Sequence, residues 1–321
     1  MQEKHLRIIF MGTPEFAVAS LKALLEAGNN IVAVVTAPDK PSGRSRQIQR
    51  SPVKQFAISH GIEVMQPASL RDPTFIQDLT YLKPDLNVLV AFRMLPKEVW
   101  SVPVHGTVNL HASLLPEYRG AAPINHAIMN GEKETGVTTF QIDRNIDTGN
   151  ILLQEKVAIG DNETAGELHD RLMITGAELL VKTVDEIAAG KIKPTAQNML
   201  TGLKVLKSAP KIYREDCRIN WNQDVDNIFN FIRGLSPYPA AWTIFKSSDD
   251  ILELKIFKAD KVKFRHNIVP GTIETDGKSV LKIAAAEGYI DILSLQLAGK
   301  RQLSVEEFLR GFGEIEKYRA L

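Results

Sequence analysis

The chain has 321 residues, 44% of them hydrophobic and 24% charged, with a formal net charge of +1. That length exceeds what one hydrophobic core usually serves, so two domains are expected, and the balance excludes a disordered or fibrous chain. Its single cysteine, Cys217, excludes an internal disulfide framework and a metal site built on two thiolates, and so small a net charge does not by itself announce a nucleic-acid partner.

MQEKHLRIIF at the start lacks the charged, apolar and small-residue zones of a signal peptide, and no apolar run approaches the roughly 20 residues that span a bilayer. A cytoplasmic location without a membrane partner is expected. LRIIF then reads as a strand, and Phe16 to Ala27 carries apolar residues at helical spacing with Gly28 as a stop. IVAVVT is a second strand. A helix follows in PVKQFAISHG, with Pro52 suited to its first position and Gly61 past its end. LNVLVAF and TVNL supply a third and fourth strand, GVTTFQI and ILLQEKVAI two more, and Thr164 to Ala189 a long helix. Strand and helix alternating in this way predict a doubly wound, mainly parallel α/β domain over residues 1–190. Such sheets bind ligands beyond the carboxyl ends of their strands.

Periodicity fades over residues 191–211, which reads as a linker. In the rest, residues 212–321, a helix around Val225 to Arg233 precedes short strands in AWTIF, ILELKIFKA, PGTIE, SVLKIAA and YIDILSLQL. Strands of that length separated by Gly, Asp and Ser turns predict a smaller C-terminal β-barrel of OB-like type, a sandwich being the other possibility. Lys255, Lys258, Lys261, Lys263 and Arg265 fall in one stretch opposed only by Asp260. Such a stripe can track phosphates or simply be a solvated surface.

The segment from Gly106 to Asn150 carries the chemistry. Asn109 and His111 stand two apart at a strand end, so both side chains project to one face. An amide NH₂ can donate to a developing oxyanion, an imidazole can donate or pass a proton, and Asp147 in a later loop could orient that imidazole. None is a convincing covalent nucleophile, which points to direct attack by an external amine. Taken singly, each also fits turn chemistry or a satisfied histidine. The seven histidines show no metal-ligand spacing, so no metal is expected. GTPEF lacks a full G-x-G-x-x-G, which argues against a dinucleotide.

NLHASLLPEYRGAAPI resembles the signature of folate-dependent formyltransferases, an Asn-x-His pair followed by Ser-Leu-Leu-Pro and completed by a downstream Asp. The resemblance implies a catalytic trio of Asn109, His111 and Asp147 and folate contacts from Ser113, Leu114, Leu115 and Pro116. MGTPEFAVASLKALL, TAPDKPSGRSRQIQRSPVK, SAPKIYREDCRINW and IRGLSPYPAAWT narrow it to the branch acting on methionyl-tRNA, almost end to end. Two positions depart from that branch: AFRMLP stands where an Ala-Tyr-Gly type turn is common, and Ala112 replaces a frequent Gly.

The activity so implied is transfer of the formyl group of 10-formyltetrahydrofolate, a co-substrate, to the α-amino group of charged initiator tRNA, with no protein partner. The long loop holding Lys40, Arg44, Arg46 and Arg50 would then meet the acceptor end of the tRNA, with Lys40 and Arg44 as contacts. Lys258, Lys261 and Lys263 would hold its phosphates. Two alternatives remain: a formyltransferase for a small amine, such as a nucleotide-linked amino sugar or glycinamide ribonucleotide, and a catalytically silent binding protein.

Overall fold

The computed structural model describes residues 6–42, 47–201 and 205–321. The chain forms two compact units. One takes in the residues up to Gly120 with Gly136–Val157 and Asp170–Ser208, and the other gathers Ala121–Thr135, Ala158–His169 and Ala209–Leu321.

In chain order the first elements are β1 (Arg7–Gly12), α1 (Glu15–Glu26), β2 (Asn30–Val35), β3 (Lys40–Ser42), β4 (Gln47–Gln49), α2 (Pro52–Ser59) and β5 (Val64–Met65). Next come α3 (Pro73–Tyr81), β6 (Leu86–Val90), α4 (Lys97–Trp100), β7 (Thr107–His111), β8 (Arg119–Gly120) and α5 (Pro123–Met129). β9 (Glu134–Gln141), β10 (Ile151–Ala158) and α6 (Ala165–Ala188) follow. The main sheet runs β10-β9-β7-β6-β1-β2-β5. Its strands from β5 to β7 are parallel, and β9 joins antiparallel to β7. Helices cover the faces of a parallel sheet, so its central strands are enclosed, as in the fully buried β6, apolar but for Asn87, which donates to the Val99 carbonyl. The doubly wound, mainly parallel architecture expected from the alternation is what forms.

Local sequence accounts for the helix starts. Ser51 and Asp72 cap α2 and α3, each ahead of a proline in the first turn. Thr164 and Glu167 exchange hydrogen bonds as a capping box at the start of α6. Gly176 in that helix lies against Leu110 of β7, where a Cβ would come within 2.9 Å of the leucine side chain.

Register fixes where a ligand can sit. Gly12 of β1 pairs with Val90 of β6, and Val90 with Leu110 of β7, so Thr13, Ala91 and His111 emerge level along one edge. Gly12 is held to a bare backbone because a Cβ there would come 2.6 Å from Ala17 Cβ.

The stretch after Lys191 carries ordered structure. Thr195 exchanges backbone hydrogen bonds with Ile151 at 2.9 and 2.8 Å, and the short α7 (Asn198–Thr201) and β11 (Ser208–Ala209) follow. Pairing by single residues leaves no periodicity to read.

In the second unit α8 (Val225–Leu235) is capped by Asp224 and buries Ile228, Phe229, Ile232 and Leu235 along one face. Side chains of this kind contribute about 1.5–3 kcal/mol each on full burial. They pack on β12 (Ala241–Lys246), β13 (Ile251–Val262), β14 (Ile273–Thr275), β15 (Leu281–Ala285) and β16 (Gly288–Leu297). β17 (Leu303–Ser304), α9 (Val305–Gly311) and β18 (Arg319–Ala320) close the chain. The antiparallel order β14-β15-β16-β13-β12-β18, with β17 on β16, makes a nearly barrel-shaped sheet.

Candidate active site

β7 delivers Asn109 and His111 to the same face at its carboxyl end. His111 is 7% exposed and meets Phe140 edge-on, ring centroids 6.5 Å apart. Its Nε2 lies 2.9 Å from the carbonyl oxygen of Tyr118. A carbonyl only accepts, so Nε2 carries a proton and Nδ1 is the nitrogen left for chemistry. Asp147 Oδ2 stands 3.9 Å from Nδ1, beyond hydrogen-bond reach but close enough to pair with an imidazolium. That same oxygen accepts from the Gly120 N–H at 2.9 Å. The half-buried side-chain amide of Asn109 makes no hydrogen bond among the described residues, so its NH₂ is free to donate.

Three residues at positive φ shape this corner: Tyr118 at 59°, Gly120 at 126° and Asp147 at 55°. For Asp147 the left-handed backbone costs on the order of 1 kcal/mol, so something must hold it. Gln197 does. Its Nε2 donates to the carbonyls of Asp147 and Gly149 at 2.9 and 2.8 Å, and its Oε1 accepts from Arg119 Nε and Nη2 at 3.1 and 2.6 Å. The loop is also tight at Gly149, where a Cβ would fall 1.7 Å from the Gln141 carbonyl oxygen.

The Ser-Leu-Leu-Pro segment divides in two. Ser113 is fully buried, its Oγ donating to the Glu117 carbonyl at 2.7 Å. Leu115 is buried as well, its N–H donating to Thr138 Oγ1 and its carbonyl accepting from Gln154 Nε2. Leu114 and Pro116 are half-buried, the pair with side-chain surface left for a ligand. In the AFRMLP turn Ala91 takes a φ of 47°, and Arg93 donates to the Pro67 and Ala68 carbonyls at 2.5 and 3.2 Å. That arginine ties the turn after β6 to the chain after β5.

At the root of the cationic loop Lys54 donates to Asp39 at 2.6 Å and to Gln66 at 2.6 Å. The Lys54 ammonium, with the Gln66 amide, holds the Asp39 carboxyl below the usual carboxylate range. Lys40 is exposed beyond this clamp. Arg44 lies outside the described residues.

In the second unit Lys258, Lys261 and Lys263 are all exposed. Two of them share a counter-charge: Lys261 and Lys263 reach Asp226 at 2.6 and 2.5 Å. Hydrogen bonds from both lysines hold the Asp226 carboxyl below its ordinary value. On another part of this unit a cleft of about 380 Å³ is lined by Lys211, Arg214, Tyr238, Trp242 and Lys255 among others. Arg214 and Arg218 each lie 5.6 Å from the Trp242 ring centroid. The sequence pattern gave no sign of this cleft or of the bracing pair Arg119 and Gln197. Arg119 stands inside YRGAAPI, beside residues already singled out, whereas nothing in the spacing around Gln197 marks it.

A family model described as formyl transferase matches residues 6–184, and one described as formyl transferase, C-terminal domain, matches residues 211–313. The chain belongs to the formyltransferase family. The methionyl-tRNA formyltransferase of Bacteroides fragilis is 49% identical over 320 residues, covering 99% of each chain. That of Parabacteroides distasonis is 50% identical over 321 residues, again covering 99% of each. Among solved structures, the N-formyltransferase of Helicobacter canadensis, in complex with folinic acid and dTDP-3-aminofucose, aligns with a TM-score of 0.62 at 22% identity, over 93% of this chain and 100% of that one. HypX of Aquifex aeolicus, in complex with tetrahydrofolic acid, gives 0.61 at 20% identity over 98% of this chain and 48% of its own. At such identities the likeness to these structures establishes the fold.

Proposed function

We propose that this chain transfers the formyl group of 10-formyltetrahydrofolate to the α-amino group of methionyl initiator tRNA. The observation that carries the reading is the corner at the end of β7: a free amide donor, an imidazole with one nitrogen committed and one available, and a carboxylate 3.9 Å away, in a chain about half identical over its full length to methionyl-tRNA formyltransferases. A free α-amino group has a pKa of about 7.7–8.0, so a useful fraction is neutral at physiological pH and no strong base is required. Asn109 donates to the oxygen of the formyl group as negative charge grows on it during attack by the amine. His111 stands on the same face of β7 with Nδ1 uncommitted. When protonated it adds a second donor and then passes its proton to the departing folate nitrogen. Asp147 pairs with the imidazolium and, directly or through water, accepts the proton given up by the amine.

Leu114, Pro116 and the turn at Ala91 to Pro96 give the folate apolar surface next to this point, with Ser113 and Leu115 supporting them from within. The first unit carries the chemistry. The second holds the tRNA through Lys258, Lys261 and Lys263, and its cleft of basic side chains and aromatic rings suits unpaired nucleotides. Lys40 and Arg44 meet the acceptor end. A substrate of this kind places the enzyme in the cytoplasm, and no described helix is long and apolar enough to cross a membrane. Incubation with 10-formyltetrahydrofolate labelled in the formyl group, charged initiator tRNA and candidate small amines tests the proposal. Label is expected on the methionyl-tRNA; label found only on an amino sugar or on glycinamide ribonucleotide would overturn it.

A further inference from the structure

We infer that Gln197 is a positioning residue for the reaction, which sets the distance between Asp147 and His111 by fixing the backbone of the loop that carries the aspartate. The inference rests on the catalytic roles proposed above for that pair.

Gln197 is 3% exposed, and both ends of its amide are engaged. Arginine has donors only, so the end facing Arg119 must be the oxygen, and the NH₂ must then face the carbonyls of Asp147 and Gly149. The orientation is fixed by this network. The two carbonyls are that of Asp147, which has the left-handed backbone, and that of Gly149 two residues on, so one side chain fixes the aspartate's own peptide and the chain that leaves it. Arg119 in turn neighbours Tyr118, whose carbonyl holds His111 Nε2, and Gly120, whose N–H holds Asp147 Oδ2. The segment from Tyr118 to Gly120 therefore touches the imidazole, the carboxylate and the amide that braces the carboxylate's loop. Gln197 is itself anchored, because Thr195 two residues before it is bonded in both directions to Ile151 at the start of β10.

The clamp acts on backbone carbonyls and leaves the reacting faces clear, so its loss should lower turnover and leave substrate binding alone. Displacing a group by about 1 Å can cost on the order of 100-fold in rate. Two variants separate the possibilities. Gln197→Leu keeps the size and removes every hydrogen bond of the amide. Gln197→Glu keeps acceptors for Arg119 and, when ionised, has no donor for the two carbonyls. Each is expected to lower kcat on the order of 100-fold with little change in KM for tRNA or folate. As pH falls, protonation restores one donor to Gln197→Glu, so its kcat relative to wild type should rise, while the ratio for Gln197→Leu stays flat.

Imidazole nitrogen resonances from a ¹⁵N-histidine sample provide a reading free of activity. The ring-nitrogen chemical shifts of His111 at a fixed pH should move in both variants whatever amine the enzyme formylates, so a wrong substrate and a wrong role for Gln197 give different results. Wild-type kcat in Gln197→Leu, a loss confined to KM, or His111 ring-nitrogen resonances identical to wild type in both variants would overturn the inference.

Discussion

The corner beyond β7 and the lysine-bearing edge of β13 both gather polar groups, and they treat them in opposite ways. At the corner, backbone groups and one buried amide fix the imidazole and the loop that carries the carboxylate. Tyr118 holds His111, Gly120 and Gln197 hold Asp147 and its loop, and the amide of Asn109 is left free. On β13 and just past its end the charges balance one another, Asp226 serving two of the three lysines. Order is therefore concentrated at the corner proposed to carry the chemistry. Along the stretch proposed to hold a polyanion, charge is partly compensated and available by exchange.

The most severe way to break this contrast is to remove the groups that the corner holds. Asn109→Ala, His111→Ala and Asp147→Ala should each lower kcat by on the order of 100-fold to 1,000-fold while tRNA binding stays near wild type. On the roles proposed the three work as a unit, so combined variants should lose little more than the worst single one. Steady-state kinetics on the singles and doubles checks both statements.

A smaller effect is expected from Gly149→Ala, which leaves all three side chains in place and disturbs only the frame. The added methyl would overlap the Gln141 carbonyl oxygen, so the loop must move; overpacking of this kind typically costs about 1–3 kcal/mol. Thermal unfolding should report the reduced stability, and kcat should fall through displacement of Asp147. Wild-type behaviour in both would show that the loop is not constrained as described.

The smallest effects belong to β13 and its neighbours. Neutralising Lys258, Lys261 and Lys263 should weaken initiator and elongator tRNAs alike and flatten the dependence of affinity on salt, by about 0.9 in slope for each duplex phosphate that the variant no longer neutralises. Asp226→Asn should act in the opposite sense, freeing Lys261 and Lys263 and modestly strengthening binding at low salt. A linkage effect follows from the depressed carboxyl of Asp226. Its contribution to stability is present above the ordinary carboxylate range and lost as pH falls through its folded value, so the Tm gap between wild type and Asp226→Asn should close in acid. Filter binding across a salt series and calorimetry across pH read the two effects.

The contrast also explains what could be read beforehand. Strands such as β6 and β7 and the long α6 follow from apolar periodicity, and the level strand ends that place Asn109 and His111 follow from parallel pairing. The short β5 and the single turn of α4 were too brief to show a period. Nothing local reveals that Asp147 adopts a left-handed backbone, because Asp occupies many ordinary turns. Gln197 braces it from 50 residues away, in a stretch without periodicity. The lysine stripe looked uncompensated because Asp226 sits 35 residues upstream of Lys261, on a helix that only the fold brings beside the strand. The resemblance carried by Ser113 to Pro116 did not distinguish the two enclosed residues, Ser113 and Leu115, from the two half-buried ones, Leu114 and Pro116.

The division of labour between the two regions is tested most directly by single-turnover formylation of charged initiator tRNA under saturating enzyme, comparing His111→Ala with the triple lysine variant. His111→Ala is expected to slow the chemical step by on the order of 100-fold with tRNA affinity unchanged. The lysine variant is expected to need more enzyme to saturate and then to reach the wild-type rate. A His111→Ala enzyme that transfers formyl at the wild-type rate once saturated, or a lysine variant whose saturated rate falls as far as that of His111→Ala, would contradict the account.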